Sequence, residues 1–341
     1  MSTLHASRFT LHALMNKVLI LDYGSQYTQL IARRIREQHV YSEIQAFNWP
    51  YEKIRDFAPQ AVILSGGPAS VLGKEAPGLD LRLLELGVPI LGICYGIQLL
   101  AHHLGGKVSP STKREYGRAL FQADPSSPLF RGLKRESSVW MSHGDRLEKI
   151  PEGFIKIGES DNTPYCAIAA PERRIYGVQF HPEVVHTEEG VSMLRNFLFD
   201  IAGLKPEWSM AAFLQTEKEK IRRQVGAGKV ICGLSGGVDS TVAALLIHEA
   251  IGDQLECIFI DNGLLRKDEA KKVEETFRGH FKIKLHAVDA AERFLKRLQG
   301  VSDPEAKRKA IGQEFICVFE EMAHQIQGAE FLAQGTLYPD V

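Results

Sequence analysis

A cysteine framed by two glycines is the first feature of this sequence with the potential for covalent chemistry. Cys94 lies in the segment Gly92-Ile93-Cys94-Tyr95-Gly96, between an apolar run and a helical pattern. The glycines permit the sharp turn that presents a nucleophile above a strand end, and the positive end of the following helix favours thiolate over thiol. Most single cysteines are buried structural residues, but this frame favours catalysis. We predict that Cys94 is a nucleophile.

A thiolate that attacks an amide needs a general base and a group that orients the base. The segment Phe180-His181-Pro182-Glu183, which follows an apolar run, supplies both residue types. Glu183 can hold the His181 imidazole in the required tautomer and stabilise the imidazolium. A lone histidine on a turn is a weak signal, but the order Cys94, His181, Glu183 predicts a catalytic triad.

A Gly-Gly turn after another apolar run is a candidate oxyanion hole. In Ser65-Gly66-Gly67-Pro68 the glycines allow backbone amides to face a neighbouring pocket. We predict that the Gly67 and Tyr95 amides bind the oxyanion; loss of one such donor typically costs about 100-fold or more in rate. Taken alone, the same segment would be interpreted as a tight turn.

A second glycine-rich loop, Gly233-Leu234-Ser235-Gly236-Gly237-Val238-Asp239-Ser240-Thr241, has the composition of a phosphate cradle. Its glycines let the backbone approach a polyanion, its hydroxyls are donors, and the following helix adds unpaired amides and its dipole. Asp239 fits such a cradle if Mg²⁺ bridges it to the phosphates. The loop has neither the Gly-Lys-Ser/Thr of a P-loop nor a dinucleotide fingerprint. The alternative is a Ser/Gly turn with an Asp N-cap.

Alternating strand and helix patterns surround both loops and predict an α/β fold with two largely parallel sheets. The predicted strands cover residues 17–22, 61–65, 88–93, 175–180, 229–234, 255–261, 281–288 and 330–334. The predicted helices cover residues 26–38, 95–104, 191–201, 240–251, 267–278, 291–299 and 304–327, with a further helix ending near Gly226. Between residues 107 and 176 the shorter runs predict appended antiparallel strands.

Composition indicates a folded, globular chain in a reducing compartment. The chain has 341 residues, 44% hydrophobic and 24% charged, with a net charge of −1; at roughly 150 residues per domain, two domains are favoured. This charge argues against nucleic-acid binding as the main task. No run approaches the roughly 18 apolar residues of a membrane span. The scattered cysteines favour neither disulfides nor zinc, so we predict a cytoplasmic protein.

We predict three segments along the chain. Residues 1–16 contain one Arg and no acidic residue, and a disordered extension is favoured over a targeting signal. Residues 17–203 form the first domain and residues 204–341 the second. Because the chain stops directly after a predicted strand, we expect the second domain to be incomplete.

Three motifs in the first domain together resemble the class I (triad) glutamine amidotransferases: LSGGP at 64–68, GICYGIQ at 92–98 and VQFHPE at 178–183. The resemblance implies an α/β sheet flanked by helices. It implies hydrolysis of the glutamine side-chain amide through a thioester, with release of ammonia. It also implies that glutamine contacts Gln98 and that Ser142, His143, Gly144 and Asp145 line its pocket. A histidine in a polar loop, such as His143, is more often structural than catalytic.

The Ser-Gly-Gly-Val-Asp-Ser sequence of the second domain resembles the pyrophosphate-binding loop of the N-type ATP pyrophosphatases. Further motifs at 260–266, 303–309 and 333–340 resemble the members that use ATP, Mg²⁺ and ammonia to convert xanthosine monophosphate (XMP) to GMP. The resemblance implies that residues 235–241 bind ATP, that Arg308 reaches the XMP phosphate, and that the full-length protein is a homodimer. Family members continue beyond residue 341. The alternatives are another ammonia-channelling ligase, such as an NAD synthetase, and a non-catalytic remnant.

Overall fold

The computed structural model of the protein describes residues 16–335, except for the side chains of residues 112–114. The predicted extension, apart from Asn16, and the motif residues from Thr336 onward lie outside the described residues. The chain divides into two units, Met1–Ser209 and Met210–Val341. Leu204 and Trp208 are buried in the first unit, and the Trp208 amide donates to the His39 carbonyl at 2.8 Å. The division therefore falls after these residues, later than the predicted boundary at 203.

The first unit is built on a nine-stranded sheet. Its strands are β1 (Lys17–Asp22), β2 (Tyr41–Ala46), β3 (Ala61–Leu64), β4 (Ile90–Ile93), β5 (Lys107–Ala123), β6 (Glu136–Lys149), β7 (Ile155–Ser160), β8 (Ala167–Ala170) and β9 (Ile175–Val178). They lie in the order β2-β1-β3-β4-β9-β8-β7-β5-β6. The first five in that order are parallel, and the remaining neighbours pair antiparallel. The predicted α/β class and its appended antiparallel strands are confirmed.

Helices cover both faces of the parallel part of this sheet. They are α1 (Thr28–Glu37), α2 (Tyr51–Phe57), α3 (Tyr95–His103) and α4 (Gly190–Asn196), the last continuing as a π-helical turn over Phe197–Ile201. Along β1, Val18 and Ile20 pack in one buried cluster with α1 and α4, while Leu19 and Leu21 pack in the other with α3. This alternation, apolar on both faces, is typical of a parallel sheet covered on both sides.

Two elements of the first unit have no counterpart in the sequence prediction. Strand β2 is an edge strand that pairs only with β1, and in its sequence YSEIQA only Ser42 is buried. Helix α2 buries only Ile54. Because each element buries a single side chain, its sequence lacks the apolar run or periodic apolar stripe by which buried strands and helices are predicted.

The second unit contains a four-stranded parallel sheet in the order β12-β11-β10-β13. Its strands are β10 (Lys229–Leu234), β11 (Leu255–Asp261), β12 (Lys284–Asp289) and β13 (Ala329–Ala333). Its helices are α5 (Met210–Val225), α6 (Val238–Ile251), α7 (Glu269–Glu274), α8 (Ala291–Leu298) and α9 (Pro304–Gln325). Two apolar clusters cover the two faces of this sheet.

Within residues 16–335, every helix is too short or too polar to cross a lipid bilayer.

Candidate active site

Cys94 forms the tight junction between β4 and α3. Its φ is +52°, the left-handed region that a non-glycine residue seldom adopts, and strain of this kind is concentrated at functional sites. A Cβ on Gly96 would lie 2.4 Å from the Leu64 carbonyl oxygen, so only glycine permits this close approach of the helix to β3. The Cys94 amide donates to the Val178 carbonyl at 2.8 Å, which ties the junction to the end of β9. The cysteine is therefore held in one conformation.

The two other predicted triad residues emerge from the end of β9, which lies beside β4 in the sheet. His181 Nδ1 lies 2.7 Å from Glu183 Oε1, and both side chains are buried. Cys94 and His181 line the same cavity, and the charge of Cys94 acts on the His181 ring; because Nδ1 faces the carboxylate, Nε2 is the nitrogen left for the sulfur. The structure thus brings together all three residues in the arrangement that nucleophilic catalysis requires.

Two opposing effects set the protonation of His181. Burial lowers the pKa of the imidazole. The negative charges of Glu183 and Cys94, together with hydrogen bonding to these groups, raise this pKa by a larger amount, so the net pKa lies well above its usual value. The imidazolium form of His181 is therefore favoured beside the sulfur.

Backbone contacts hold His181 in place as well. The His181 amide donates to the Trp140 carbonyl at 3.0 Å, and the hydroxyl of Thr187 donates to the His181 carbonyl at 2.6 Å. The Trp140 amide in turn donates to the Thr187 hydroxyl at 3.0 Å. The sequence did not predict a role for Thr187, because nothing in the sequence around a loop threonine indicates that it will join the Trp140 amide to the His181 carbonyl.

The triad opens into a cavity of about 590 Å³ that is lined by every predicted oxyanion and glutamine residue. These are Gly67, Tyr95, Gln98, Ser142, His143, Gly144 and Asp145. A Cβ on Gly67 would lie 2.5 Å from the Tyr23 carbonyl oxygen, so the loop reaches this position only as glycine. The Tyr95 amide belongs to the first turn of α3, whose amides have no intrahelical acceptor. Both predicted oxyanion donors therefore border the cavity that contains Cys94.

Sequence reasoning missed part of the cavity wall. Gly24, Ser25, Gln26, Tyr27, Pro68, Ala69, Ser70 and Tyr116 also line it. Residues 26 and 27 were predicted as helix, but α1 begins at Thr28, whose amide donates to the Ser25 carbonyl. The Tyr27 ring stands edge-on to the His181 ring, with centroids 5.0 Å apart. The sequence feature that could have predicted this part of the wall is Tyr23-Gly24-Ser25, a glycine-containing segment directly after β1.

His143 belongs to a buried polar cluster behind the cavity. Its Nδ1 lies 2.9 Å from the Asp145 carbonyl oxygen, and its Nε2 lies 3.2 Å from Glu115 Oε2. The Thr163 hydroxyl donates to the same carboxylate oxygen. Burial raises the pKa of Glu115, but its close contact with His143 and its hydrogen bond from Thr163 outweigh burial, and the net pKa is lowered. His143 thus combines a structural contact with its place in the cavity wall.

The predicted phosphate cradle lies between β10 and α6 in the second unit. Gly236 has a φ of +78°. The Ser240 hydroxyl accepts from the Ser235 amide at 3.2 Å, and the Thr241 hydroxyl donates to the Gly237 carbonyl at 2.8 Å. These bonds shape the loop around the first turn of α6, where Val238, Asp239 and Ser240 present amides without intrahelical acceptors. The loop is exposed apart from Gly236, Ser240 and Thr241.

Two residues of this unit that were predicted to bind Mg²⁺ and the XMP phosphate, Asp239 and Arg308, are both exposed. Asp239 is exposed in the first turn of α6, and no group of three or more metal-ligating residues occurs among residues 16–335. One carboxylate suits a magnesium ion that arrives with nucleotide phosphates, since Mg²⁺ uses few protein ligands. Arg308 lies on α9 and pairs with Glu305 at 2.9 Å, with both side chains largely exposed.

Two family profiles match the chain, one within each of the two structural units. The family profile described as glutamine amidotransferase class-I matches residues 19–201, and the profile described as NAD synthase matches residues 210–322. A solved structure of a glutamine amidotransferase from Thermotoga maritima is 18% identical, with a TM-score of 0.41, over 70% of this chain and 91% of that chain.

The amidotransferase profile covers more than half of the chain, and the chain belongs to the class-I glutamine amidotransferase family. Among curated relatives, the chain is similar to proteins named GMP synthase (glutamine-hydrolyzing). The one from Brachyspira hyodysenteriae is 55% identical over 327 residues, and one from Rhodopseudomonas palustris is 58% identical over 329 residues. Each alignment covers 96% of this chain, but the chain spans only 64% and 62% of those relatives.

Proposed function

We propose that the first unit hydrolyses the side-chain amide of glutamine to glutamate and ammonia. The observation that carries the proposal is the buried cluster of Cys94, His181 and Glu183 beside a cavity large enough for an amino acid. Membership of the class-I glutamine amidotransferase family supports the same reaction.

The reaction follows from the positions of these groups. The Cys94 thiolate attacks the amide carbon, and the Gly67 and Tyr95 amides stabilise the oxyanion that develops. The imidazolium of His181 donates its proton to the leaving nitrogen, which departs as ammonia and leaves a thioester. His181, now neutral, takes a proton from water as the water attacks the thioester, and glutamate leaves as the thiolate reforms. Glu183 keeps the ring oriented throughout.

We propose further that the second unit binds ATP at residues 235–241, where Asp239 would be the residue that holds Mg²⁺. The glycine-rich turn, the hydroxyls and the open amides of α6 suit a polyanion. When bound, Mg²⁺ would neutralise phosphate charge as pyrophosphate leaves. The whole protein would then adenylate XMP and use the ammonia to form GMP, with Arg308 on the XMP phosphate. Relatives named GMP synthase support this proposal over the alternatives.

A second acceptor is favoured by one observation, the match of residues 210–322 to the NAD synthase profile. The two reactions share ATP and ammonia but differ in the acceptor. A chain extended to the length of its relatives should form GMP from XMP, ATP and glutamine. Amination of a nicotinate dinucleotide in place of XMP would favour the second candidate.

The glutaminase proposal is tested on the 341-residue chain by glutamate release from glutamine. Cys94→Ala should abolish the release, because the thioester can no longer form. Cys317→Ala is the matched control, since Cys317 is exposed on α9, and it should retain the wild-type rate. Equal rates for Cys94→Ala and wild type would overturn the proposal and favour a non-catalytic remnant.

A further inference from the structure

Behind the triad, a chain of hydrogen bonds leads from a backbone carbonyl to the reactive sulfur. The Gln98 side-chain nitrogen donates to the Asp145 carbonyl at 2.9 Å and to Gln179 Oε1 at 3.2 Å. Gln179 Nε2 then lies 3.9 Å from Cys94 Sγ. Gln179 is fully buried and Gln98 nearly so. Neither the triad nor the predicted pocket includes Gln179.

The Asp145 carbonyl fixes the direction of this chain. A backbone carbonyl can only accept, so the end of the Gln98 amide that faces it must be the NH₂ group. The same NH₂ group faces Gln179, which must therefore turn its own oxygen toward Gln98. This leaves the Gln179 NH₂ group on the side of the sulfur. The Asp145 carbonyl, which can only accept, thus fixes the orientation of the Gln98 and Gln179 side-chain amides.

The sulfur needs such a donor because its other close polar neighbour opposes ionisation. The Ser142 carbonyl oxygen lies 3.5 Å from Cys94 Sγ and accepts from the thiol; the same oxygen repels a thiolate. Hydrogen bonds to a charged form stabilise it, and hydrogen bonds that only the neutral form can make favour the neutral form. The Gln179 NH₂ group counters the Ser142 carbonyl, together with the imidazolium of His181.

From this geometry we infer that Gln179 donates a hydrogen bond to the Cys94 thiolate, oriented for that role by Gln98 and the Asp145 carbonyl. The inference deepens the proposed glutaminase function and rests on it for its catalytic meaning, but the state of the sulfur can be measured without glutamine. It also limits Gln98: both of its amide hydrogens are used inside the protein, so it can meet a bound amino acid only with its oxygen, as an acceptor.

Alkylation of Cys94 by iodoacetamide as a function of pH measures the thiolate directly. The native ionisable groups around the sulfur are kept in each variant, and only Gln179→Glu adds one; those bordering the cavity are Tyr27, Tyr95, Tyr116, His143, Asp145 and His181, with Glu183 behind His181. Mass spectrometry of the Cys94 peptide, in a Cys317→Ala background, separates this thiol from the exposed one.

Two variants distinguish the donor from simple packing. Gln179→Met keeps the length of the side chain but removes the donor, and we expect alkylation of Cys94 below the midpoint to slow about tenfold, a shift of about one pH unit. Gln179→Glu can still accept from Gln98 but turns a carboxylate oxygen toward the sulfur, so alkylation should slow at least as much. Gln122→Met, on the exposed side of β5, is the control and should match wild type.

The outcomes separate this inference from the proposed function. An unchanged alkylation profile in a folded Gln179→Glu variant would overturn the inference, as would slowing by Gln179→Met alone, which would indicate packing. If Gln179→Met fails to fold, Gln179→Leu takes its place, because it also removes the donor and, unlike Gln179→Glu, adds no charge that would slow alkylation by itself. Slowed alkylation in a protein whose Cys94→Ala variant still releases glutamate would support the inference and reject the glutaminase role of Cys94.

Discussion

The two units each place a glycine-framed junction at the carboxyl end of a parallel strand, and the two junctions are built differently. At Cys94 the predicted nucleophile is buried, and the two other predicted triad residues are already hydrogen-bonded to each other. At residues 235–241 the loop is largely exposed, and its hydroxyls bond mainly to the loop itself. A covalent nucleophile needs its partners in place before substrate arrives. A polyanion site can present open amides that the ligand itself completes.

Replacing the orienting acid tests the preassembled junction most severely. Glu183→Gln keeps the size of the side chain but removes the charge that raises the pKa of His181. We expect glutamine hydrolysis to fall by roughly ten-thousandfold, in line with the loss of an orienting acid in other triads. Initial rates of glutamate release measure the effect. Glu188→Gln, at an exposed position of the following loop, should stay within twofold of wild type; a similarly active Glu183→Gln would remove Glu183 from the triad.

The oxyanion loop is the next place to break the first junction. In Gly67→Ala the new Cβ would lie 2.5 Å from the Tyr23 carbonyl, so the loop must shift and move its amide. We expect the hydrolysis rate to fall about 100-fold, the typical effect of one lost oxyanion donor. Gly78→Ala is the control, because a Cβ there meets nothing within 4 Å. Equal rates in the two variants would show that the Gly67 amide is not used.

Asp239→Asn sharpens the comparison from the side of the second unit. Losing the charge that holds Mg²⁺ beside the phosphates should weaken ATP binding in the presence of Mg²⁺ about tenfold, because Mg²⁺ prefers carboxylate oxygens. Glutamine hydrolysis by the first unit should remain unchanged. Calorimetric titration with ATP measures the affinity, and Asp253→Asn, exposed after the other end of α6, is the control. An equal loss of affinity with and without Mg²⁺ would contradict a metal role.

The smallest effect is expected behind the cavity, at Glu115. Glu115→Gln should lower the free energy of unfolding of the first unit by about 1–3 kcal/mol at pH 7, because a buried charged hydrogen-bond network is broken. Since the folded pKa of Glu115 is lowered, its contribution is complete above the usual value near 4.5 and is lost as pH falls through the folded pKa. The difference between wild type and variant should therefore shrink in acid.

Tryptophan fluorescence is a selective probe for this measurement. All three tryptophans, Trp49, Trp140 and Trp208, lie in the first unit, so urea titrations followed by fluorescence report that unit alone. Glu136→Gln, an exposed residue of β6, should not change the midpoint at either pH. A difference that grows as the pH falls would mean that Glu115 has the opposite shift.

Most of the framework could be predicted from the sequence. The bounds of β1, β10 and β11 are those expected, because strands buried on both faces form short, nearly continuous apolar runs. The edge strand β2 and the short helix α2 were missed for the opposite reason. Each has one buried side chain, which leaves no periodic signal.

The sequence by itself determined the local chemistry at each junction: the turn at Cys94, the spacing of His181 and Glu183, and the glycine-rich loop at 235–241. Each of these features is formed by residues close together in the chain, so residue types and their spacing are enough to predict it. Only the tertiary structure decided which distant groups meet. The Gln98–Gln179 and Gln179–Cys94 contacts join residues 81 and 85 positions apart, and the Glu115–His143 pair depends on the register of β5 against β6. Such contacts arise from strand order and register, which the spacing of residues along the chain does not encode.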